Sequence, residues 1–236
     1  MNVCTASGLS SLGTSLGLSQ TTGYSPYLPL LALTIAAKLF HLCQINPTFG
    51  FITSDWFLVV IAILTAADLI VDLIPGVSTG WHAVHTAITP FLGGIVAAAT
   101  TSGLTLPGLG ASLPASSTLH MATIILTNSP ILASTTITVL MFLIGFVLAG
   151  LVHLHRFGGR TVANVGHVFT LGISNIVVSV LEDILAVVSV ILSFLAPVVM
   201  LIIVVIVVLV ILFTFRYIRR GLRFLRNGRR NQGSVG

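Results

Sequence analysis

The chain has 236 residues, of which 56% are hydrophobic and only 6% are charged. A soluble domain carries about a quarter charged residues, so this composition excludes a protein that covers itself with a polar surface. The formal net charge is +5, and seven of the ten basic residues are arginines within the last twenty-one positions. Several apolar runs reach the ~20 residues that a transmembrane helix needs, and none alternates like a barrel strand. The sequence therefore predicts an all-α, polytopic helical membrane protein.

The N-terminal segment, residues 1–24, is rich in Ser, Thr and Gly. We expect it to be a polar or interfacial segment, either a frayed interfacial helix or a short re-entrant piece. It lacks the basic region of a signal peptide, so no cleavage is expected. Cys4 and Cys43 show no spacing typical of a disulfide framework or a metal site, and the redox compartment stays open.

A transmembrane domain is predicted for residues 25–216, followed by a basic tail at 217–236. Pro and Gly punctuation divides the domain into about six spans. The apolar run after position 174 is too long for one crossing, and residues 193–197 are its only interruption. Residues 101–136 are expected to form an extramembrane loop. The predicted spans cover residues 27–43, 56–74, 81–100, 137–152, 174–192 and 197–217.

The distribution of arginines predicts the orientation. Six spans bring both termini to one side, and the arginine tail puts that side in the cytoplasm. The connection after the fourth span carries Arg156 and Arg160 and also falls inside, while the loop at 101–136 has no Lys, Arg, Asp or Glu and falls outside. His153, His155 and Arg156 are expected to contact lipid headgroups. We therefore expect a multi-pass protein of the cell (plasma) membrane with both termini cytoplasmic.

The basic tail is expected to contact anionic headgroups and not nucleic acid, because it follows directly on a hydrophobic span. The sequence is compatible with a homo-oligomer. No GxSxG elbow, Walker lysine or HExxH motif is present, so we expect neither an enzyme nor a cofactor.

Six spans divide into two halves of three, which enter the membrane in opposite directions. This is the topology of a 3+3 inverted repeat with broken or re-entrant segments. The second span contains Thr65-Ala66-Ala67-Asp68 and the fifth contains Ser179-Val180-Leu181-Glu182, which share a hydroxyl-x-x-acid pattern. Chance explains one short match equally well. From this pattern we expect Asp68 and Glu182 to face one another or a shared polar cavity.

Four of the five acidic residues lie inside predicted spans. A charge at the bilayer centre costs about 2.5 to 3.5 kcal/mol, so such residues usually face the protein interior and mark paths for ions, protons or substrates. The alternative is a structural hydrogen-bond network. Asn175 lies where a broken or re-entrant entry to the fifth span is expected. The four acids are Asp68, Asp72, Glu182 and Asp183.

Two acids and two histidines flank the Pro75-Gly76 turn. Asp68 and Asp72 are spaced i, i+4 and share a helix face, and His82 and His85, spaced i, i+3, do the same. Together they form a weak candidate site for Zn²⁺ or Mn²⁺. A proton relay or helix capping explains the same residues better.

The order of motifs resembles a known family. The chain has YLPLLAL, then AADLIVDLIPGV leading into HAVHTAITP, then SNIVVSVLEDILA before a long apolar span and an arginine-rich tail. It is similar to the bacterial membrane-protein family catalogued as domain of unknown function 4126. The resemblance implies a helical membrane fold, and the family supplies no settled activity.

Two functional hypotheses follow. The first is a small ion- or proton-coupled transporter or permease-like protein for an unknown small solute or cation. The second is a non-transporting membrane scaffold or accessory subunit, whose polar residues hold helices together. The environment of the intramembrane acids discriminates between them.

Overall fold

The computed structural model describes residues 8–72, 77–102, 130–166 and 173–232. The described residues form helices and no strands, so the predicted all-α class is confirmed. Side chains in this part are described except at 72, 77–83, 130–134, 157–166, 173–178, 218 and 221–232. The helices are α1 (Gly8–Thr22), α2 (Leu28–Lys38), a 3-10 helix (Pro47–Thr53), α3 (Asp55–Asp72), α4 (Val77–Ala99), α5 (Pro130–Gly166), α6 (Ile173–Leu195) and α7 (Pro197–Gln232).

Helix α1 is polar in sequence but buried in the bundle. It contacts α2, α4, α5, α6 and α7. Its hydroxyl groups donate hydrogen bonds to backbone carbonyls of three neighbouring helices, from Thr14 to Ser193 O, from Ser15 to Ala97 O and from Ser19 to Gly145 O. These bonds satisfy the hydroxyls away from water. The segment expected to be interfacial is therefore a packed part of the bundle from Ser11 onward.

Helices α4 and α5 cross through small residues. A Cβ placed on Gly93 would overlap the Cβ of Ala149, and one on Gly145 would overlap the Cβ of Ala97. The spacing is i, i+4 on both helices, which is the small-xxx-small pattern that lets backbones approach closely in membranes. Ser19 of α1 lies at the same crossing. The three helices thus meet without large side chains between them.

Helix α7 is apolar in its first twenty-one residues and largely exposed. Only a narrow seam at Met200, Val204 and Ile211 is buried, while residues such as Ile202 and Ile206 are more than half exposed. Two helical segments, Thr135–Arg156 and Pro197–Tyr217, are long and apolar enough to cross a membrane. A third span exists if the 3-10 helix and α3, which meet at 66°, count as one. These helices indicate a membrane protein; the number six is not established by them.

The contacts define the direction of each helix. Gly13 packs on Pro197 and Gly17 on Met200, so α1 and α7 run parallel. Helix α1 therefore begins at the end of the bundle where α7 begins, which we call the Pro197 end. Helix α7 runs from there to the opposite end, the tail end. The prediction of both termini on one side did not count α1 as a helix, and the side on which each terminus lies stays a prediction.

Helix α2 returns to the Pro197 end. After α2 the backbone N–H of Asn46 donates to Ala99 O, which is close to the Ala97 carbonyl that Ser15 contacts. Helices α1 and α2 therefore form a hairpin whose tip, residues 23–27, points into the bundle.

Several boundaries were predicted well and others were not. The interruption expected at 193–197 is found at Ala196, between Leu195 and Pro197. The fourth predicted span corresponds to α5, which does not end near 152 but continues to Gly166. Helix α7 continues to Gln232 without a break. Most of the loop at 101–136 lies outside the described residues.

Cys43 is disulfide-bonded, although no spacing typical of a disulfide framework was found in the sequence. Cys4, the other cysteine of the chain, lies outside the described residues. Cys43 itself is buried and follows α2 at the Pro197 end.

Candidate functional site

The hairpin tip interrupts the helical backbone inside the bundle. Helix α1 closes with bonds from Gly23 N to Gln20 O and from Tyr24 N to Thr21 O. Pro26 and Pro29 lack the amide hydrogen that a continuing helix would use, and a new helix begins at Leu28 with Pro29 in its first turn. Carbonyl groups of the tip are therefore available to side chains of other helices.

Arg156 of α5 binds the tip from one side. Its side chain is only 5% exposed, and its Nε donates to Glu182 Oε2 of α6 at 2.6 Å. Its Nη1 donates to the backbone oxygen of Tyr24. The guanidinium thus ties α5, α6 and the hairpin tip together. It is neither a headgroup contact nor part of a loop, as the sequence had suggested, because the helix continues past it and its partner lies on a helix 26 residues away.

Asp68 of α3 binds the tip from another side. Ser25 Oγ donates to Asp68 Oδ2 at 3.4 Å, and His85 Nδ1 lies 3.5 Å from Asp68 Oδ1. Both ionisable side chains are less than a tenth exposed. The ring of Tyr27 packs edge-on against the His85 ring, with centroids 5.4 Å apart. Asp68 and His85 therefore form a buried carboxylate–imidazole pair.

A third contact lies between the Asp68–His85 pair and the Arg156–Glu182 pair. His85 is followed by Thr86, whose Oγ1 lies 3.2 Å from His153 Nε2. His153 is buried and stands one turn before Arg156 on α5. We call the complete set the tip cluster: Tyr24, Ser25, Tyr27, Asp68, His85, Thr86, His153, Arg156 and Glu182.

The tip cluster includes three of the residues that the sequence predicted, Asp68, His85 and Glu182. Asp68 and Glu182 are each bound to a basic or imidazole partner, and both are joined to the tip through the adjacent residues Ser25 and Tyr24. Helix α3 also contacts α6. The two acids thus belong to one polar cluster.

Four further residues were predicted as site residues. Asp183 follows Glu182 on α6 and is half-buried. Asp72, His82 and Asn175 lie in helices, but their side chains are outside the described part of the chain. The proposed grouping of Asp68, Asp72, His82 and His85 on a metal ion therefore stays a prediction. Where side chains are described, no three His, Cys, Asp or Glu residues cluster closely enough to hold a metal.

Sequence reasoning missed the contribution of the tip itself and misassigned Arg156 and His153. One signal was available, because a Gly-Tyr-Ser-Pro sequence between two helical segments predicts a break. A buried break needs hydrogen-bond donors from elsewhere, and an arginine in an apolar helix is the strongest such donor.

A second feature, at the Pro197 end, is a cavity of about 300 Å³ between the 3-10 helix and the first turns of α5. It is lined by Asn46, Thr48, Phe49, Thr135, Thr138, Val139 and Phe142. None of these residues belongs to the tip cluster.

The model of the family described as Domain of unknown function (DUF4126) matches residues 12–217. No curated protein and no solved structure matches the chain. Because the match covers most of the sequence, the chain belongs to the DUF4126 family, as the resemblance of its motifs implied.

Proposed function

We propose that this DUF4126 protein is a small proton-coupled transporter or permease-like protein of the cell membrane, in which the tip cluster exchanges protons. The observation that carries the proposal is that ionisable side chains from four helices converge on a broken backbone inside a bundle with an apolar exterior. Broken helices with coordinating backbone groups mark the substrate and ion sites of secondary transporters. Buried ionisable residues in membrane helices mark the same paths.

The depth of the tip supports this proposal. Tyr24 follows Gly13 by eleven residues, and Gly13 packs on Pro197, the first residue of a membrane-length helix. At 1.5 Å per residue the tip lies about 16 Å from that level, close to half of a ~30 Å hydrocarbon layer. The tip would thus lie about half-way along the apolar segment of α7, a depth at which transporters bind their substrates, and Arg156 reaches it from the end of the segment Thr135–Arg156.

The two pairs of the tip cluster have different chemical roles. Arginine keeps its charge at all physiological pH values, so the Arg156–Glu182 pair is a fixed, neutralised link that holds the tip. Histidine is the side chain that most readily gains and loses a proton in proteins, and the imidazole of His85 lies beside the carboxylate of Asp68. We therefore assign proton exchange to Asp68 and His85.

The helix directions support a specific topology. Helices α2, α3 and α4 each run opposite to the corresponding helix of the second half, α5, α6 and α7. Six spans in a 3+3 inverted repeat require this arrangement. With the arginine tail in the cytoplasm and in contact with anionic headgroups, the Pro197 end and the start of α1 face outside. The disulfide of Cys43 favours the same side, because disulfides persist in oxidising compartments.

The orientation is tested by labelling Leu9→Cys and Ser234→Cys in intact cells with a membrane-impermeant maleimide. The proposal requires labelling of the first variant and not of the second before lysis. Labelling of Ser234→Cys from outside would reverse the orientation.

Proton exchange is tested on reconstituted protein adsorbed to a solid-supported membrane and subjected to a pH jump. The wild-type protein should give a transient displacement of charge, and Asp68→Asn should remove it. Asp55→Asn is the matched control, because Asp55 is on the same helix but 97% exposed. Equal displaced charge in wild type and Asp68→Asn would refute the assignment. Coupling is then measured as the pH change inside pyranine-loaded vesicles under Na⁺ or K⁺ gradients.

A second candidate is a non-transporting scaffold or accessory subunit. It is favoured by the pairing of both cluster acids, since Asp68 and Glu182 already have protein partners at contact distance. The described cavity also lies away from them. A scaffold would displace no charge on a pH jump in any variant.

A further inference from the structure

The cavity at the Pro197 end is formed by residues that are far apart in the chain. Asn46 precedes the 3-10 helix and Phe49 lies within it, while Thr138 and Phe142 are one turn apart on α5. Its volume of about 300 Å³ is at the lower limit of known small-molecule sites. It therefore fits a molecule the size of a substituted ring.

A hydrogen-bonded group of side chains builds the polar wall of this cavity. Asn46 Nδ2 donates to Thr138 Oγ1 at 2.9 Å and to Thr101 Oγ1 at 3.2 Å. Asn46 Oδ1 accepts from Thr48 N at 3.1 Å, which caps the 3-10 helix. These bonds fix the position of the wall before any ligand arrives, and preorganisation of this kind lowers the cost of binding.

The chemistry of the lining selects the ligand. Hydroxyl groups of threonine have a donor and two acceptor sites, so they can bond to the protein and a ligand together. Phe49, Val139 and Phe142 supply an apolar wall. None of the described lining residues is ionisable. A charged ligand would lose part of its hydration here without gaining a counter-charge, whereas a neutral polar group loses less and can bond to the threonine hydroxyls.

We propose that this cavity binds a small uncharged molecule that combines an apolar ring or chain with a hydroxyl, amide or carbonyl group. The site is distinct from the tip cluster and does not depend on proton coupling. It lies at the end of the bundle where Cys43 is disulfide-bonded.

The test uses Thr135→Cys, which puts a single free thiol at the rim, because the described part of the native chain contains no free cysteine. The probes are benzyl methanethiosulfonate, its cationic trimethylammonium-ethyl analogue and its anionic sulfonatoethyl analogue. The reaction rate of each probe with this thiol is divided by its rate with a small free thiol in the same detergent. The neutral probe should react about tenfold faster than either charged probe, because burying a charge without a partner is costly. Benzamide should slow the neutral probe, and benzoate should not.

Two matched pairs of variants separate the cavity from the surrounding detergent. Val139→Trp fills the cavity and should remove the preference for the neutral probe, whereas Val147→Trp, two turns further along α5 and similarly exposed, should preserve it. A thiol at Val147→Cys should show no protection by benzamide. Equal rates for all three probes, an unchanged preference in Val139→Trp, or the same protection at Val147→Cys would overturn the proposal.

Discussion

Helices α1 and α7 reverse the pattern of a soluble protein. Helix α1 contains mostly Gly, Ser and Thr, and its residues from Ser11 to Thr22 are almost all buried. The apolar part of α7 consists largely of Val, Ile and Leu, and most of its side chains are exposed. When lipid is the solvent, apolar side chains gain little from burial, and close backbone approach and hydrogen bonds select the interior helix instead. The comparison of α1 and α7 shows that the polar helix, not the apolar one, occupies the interior of this bundle.

Removing the link between the tip that follows α1 and the rest of the bundle should cause the largest loss of stability. Arg156→Met removes the cation beside the part-buried Glu182 and the donor to Tyr24 O, so we expect a loss of about 3–5 kcal/mol in the free energy of unfolding. The double variant Arg156→Met, Glu182→Met should recover most of this loss, because both charges of the pair are removed together. Unfolding in SDS titrations of purified protein measures both. A double variant no more stable than the single one would show that the pair is not the link.

The packing around α1 should give the next effect. Gly93→Leu puts a side chain where α4 meets α5 and Ser19, and overpacking costs about 1–3 kcal/mol or more. Gly50→Leu is the matched control, because nothing lies within 4 Å of a Cβ at Gly50. Thermal unfolding in detergent compares the two. If both variants melt alike, the small-residue crossing does not determine stability.

The hydroxyl groups should give the smallest effect. Ser19→Ala removes the bond to Gly145 O, and interhelical bonds of this type average about 0.6 kcal/mol in membranes. Thr214→Ala on α7 should change stability less, because that hydroxyl donates within its own helix to Val210 O on an exposed face. The same SDS titrations suffice, since only the order of the two losses is at issue. A larger loss at Thr214 would contradict the contrast between the helices.

Structural features set by neighbouring residues could be predicted from the sequence, whereas features set by contacts between distant residues could not. The break before Pro197 and the helical character of the chain follow from local rules for proline and apolar runs. The burial of α1 does not, because a Ser-rich segment is interfacial or internal according to whether carbonyls such as Ala97 O lie within reach. The parallel direction of α1 and α7 was not predicted for the same reason.

The candidate site divides in the same way. Asp68 and Glu182 were identified from the cost of charges in membranes, which is a property of each residue. His85 was identified from its i, i+3 spacing with His82 next to the Pro75-Gly76 turn. Arg156 was misassigned, because its role depends on Glu182 of another helix and on the tip carbonyl. Neither partner is visible from the local sequence around Arg156.

The central claim, that the polar helix is inside and the apolar helix faces lipid, is tested by photolabelling in liposomes. A diazirine carbene probe dissolved in the acyl chains marks every side chain that lipid touches, and mass spectrometry locates the marks. We predict labelling on the exposed face of α7, at Ile202, Ile206, Val210 and Phe213, and none in α1 between Ser11 and Thr22. Labelling of α1 to the same extent as α7 would contradict the account.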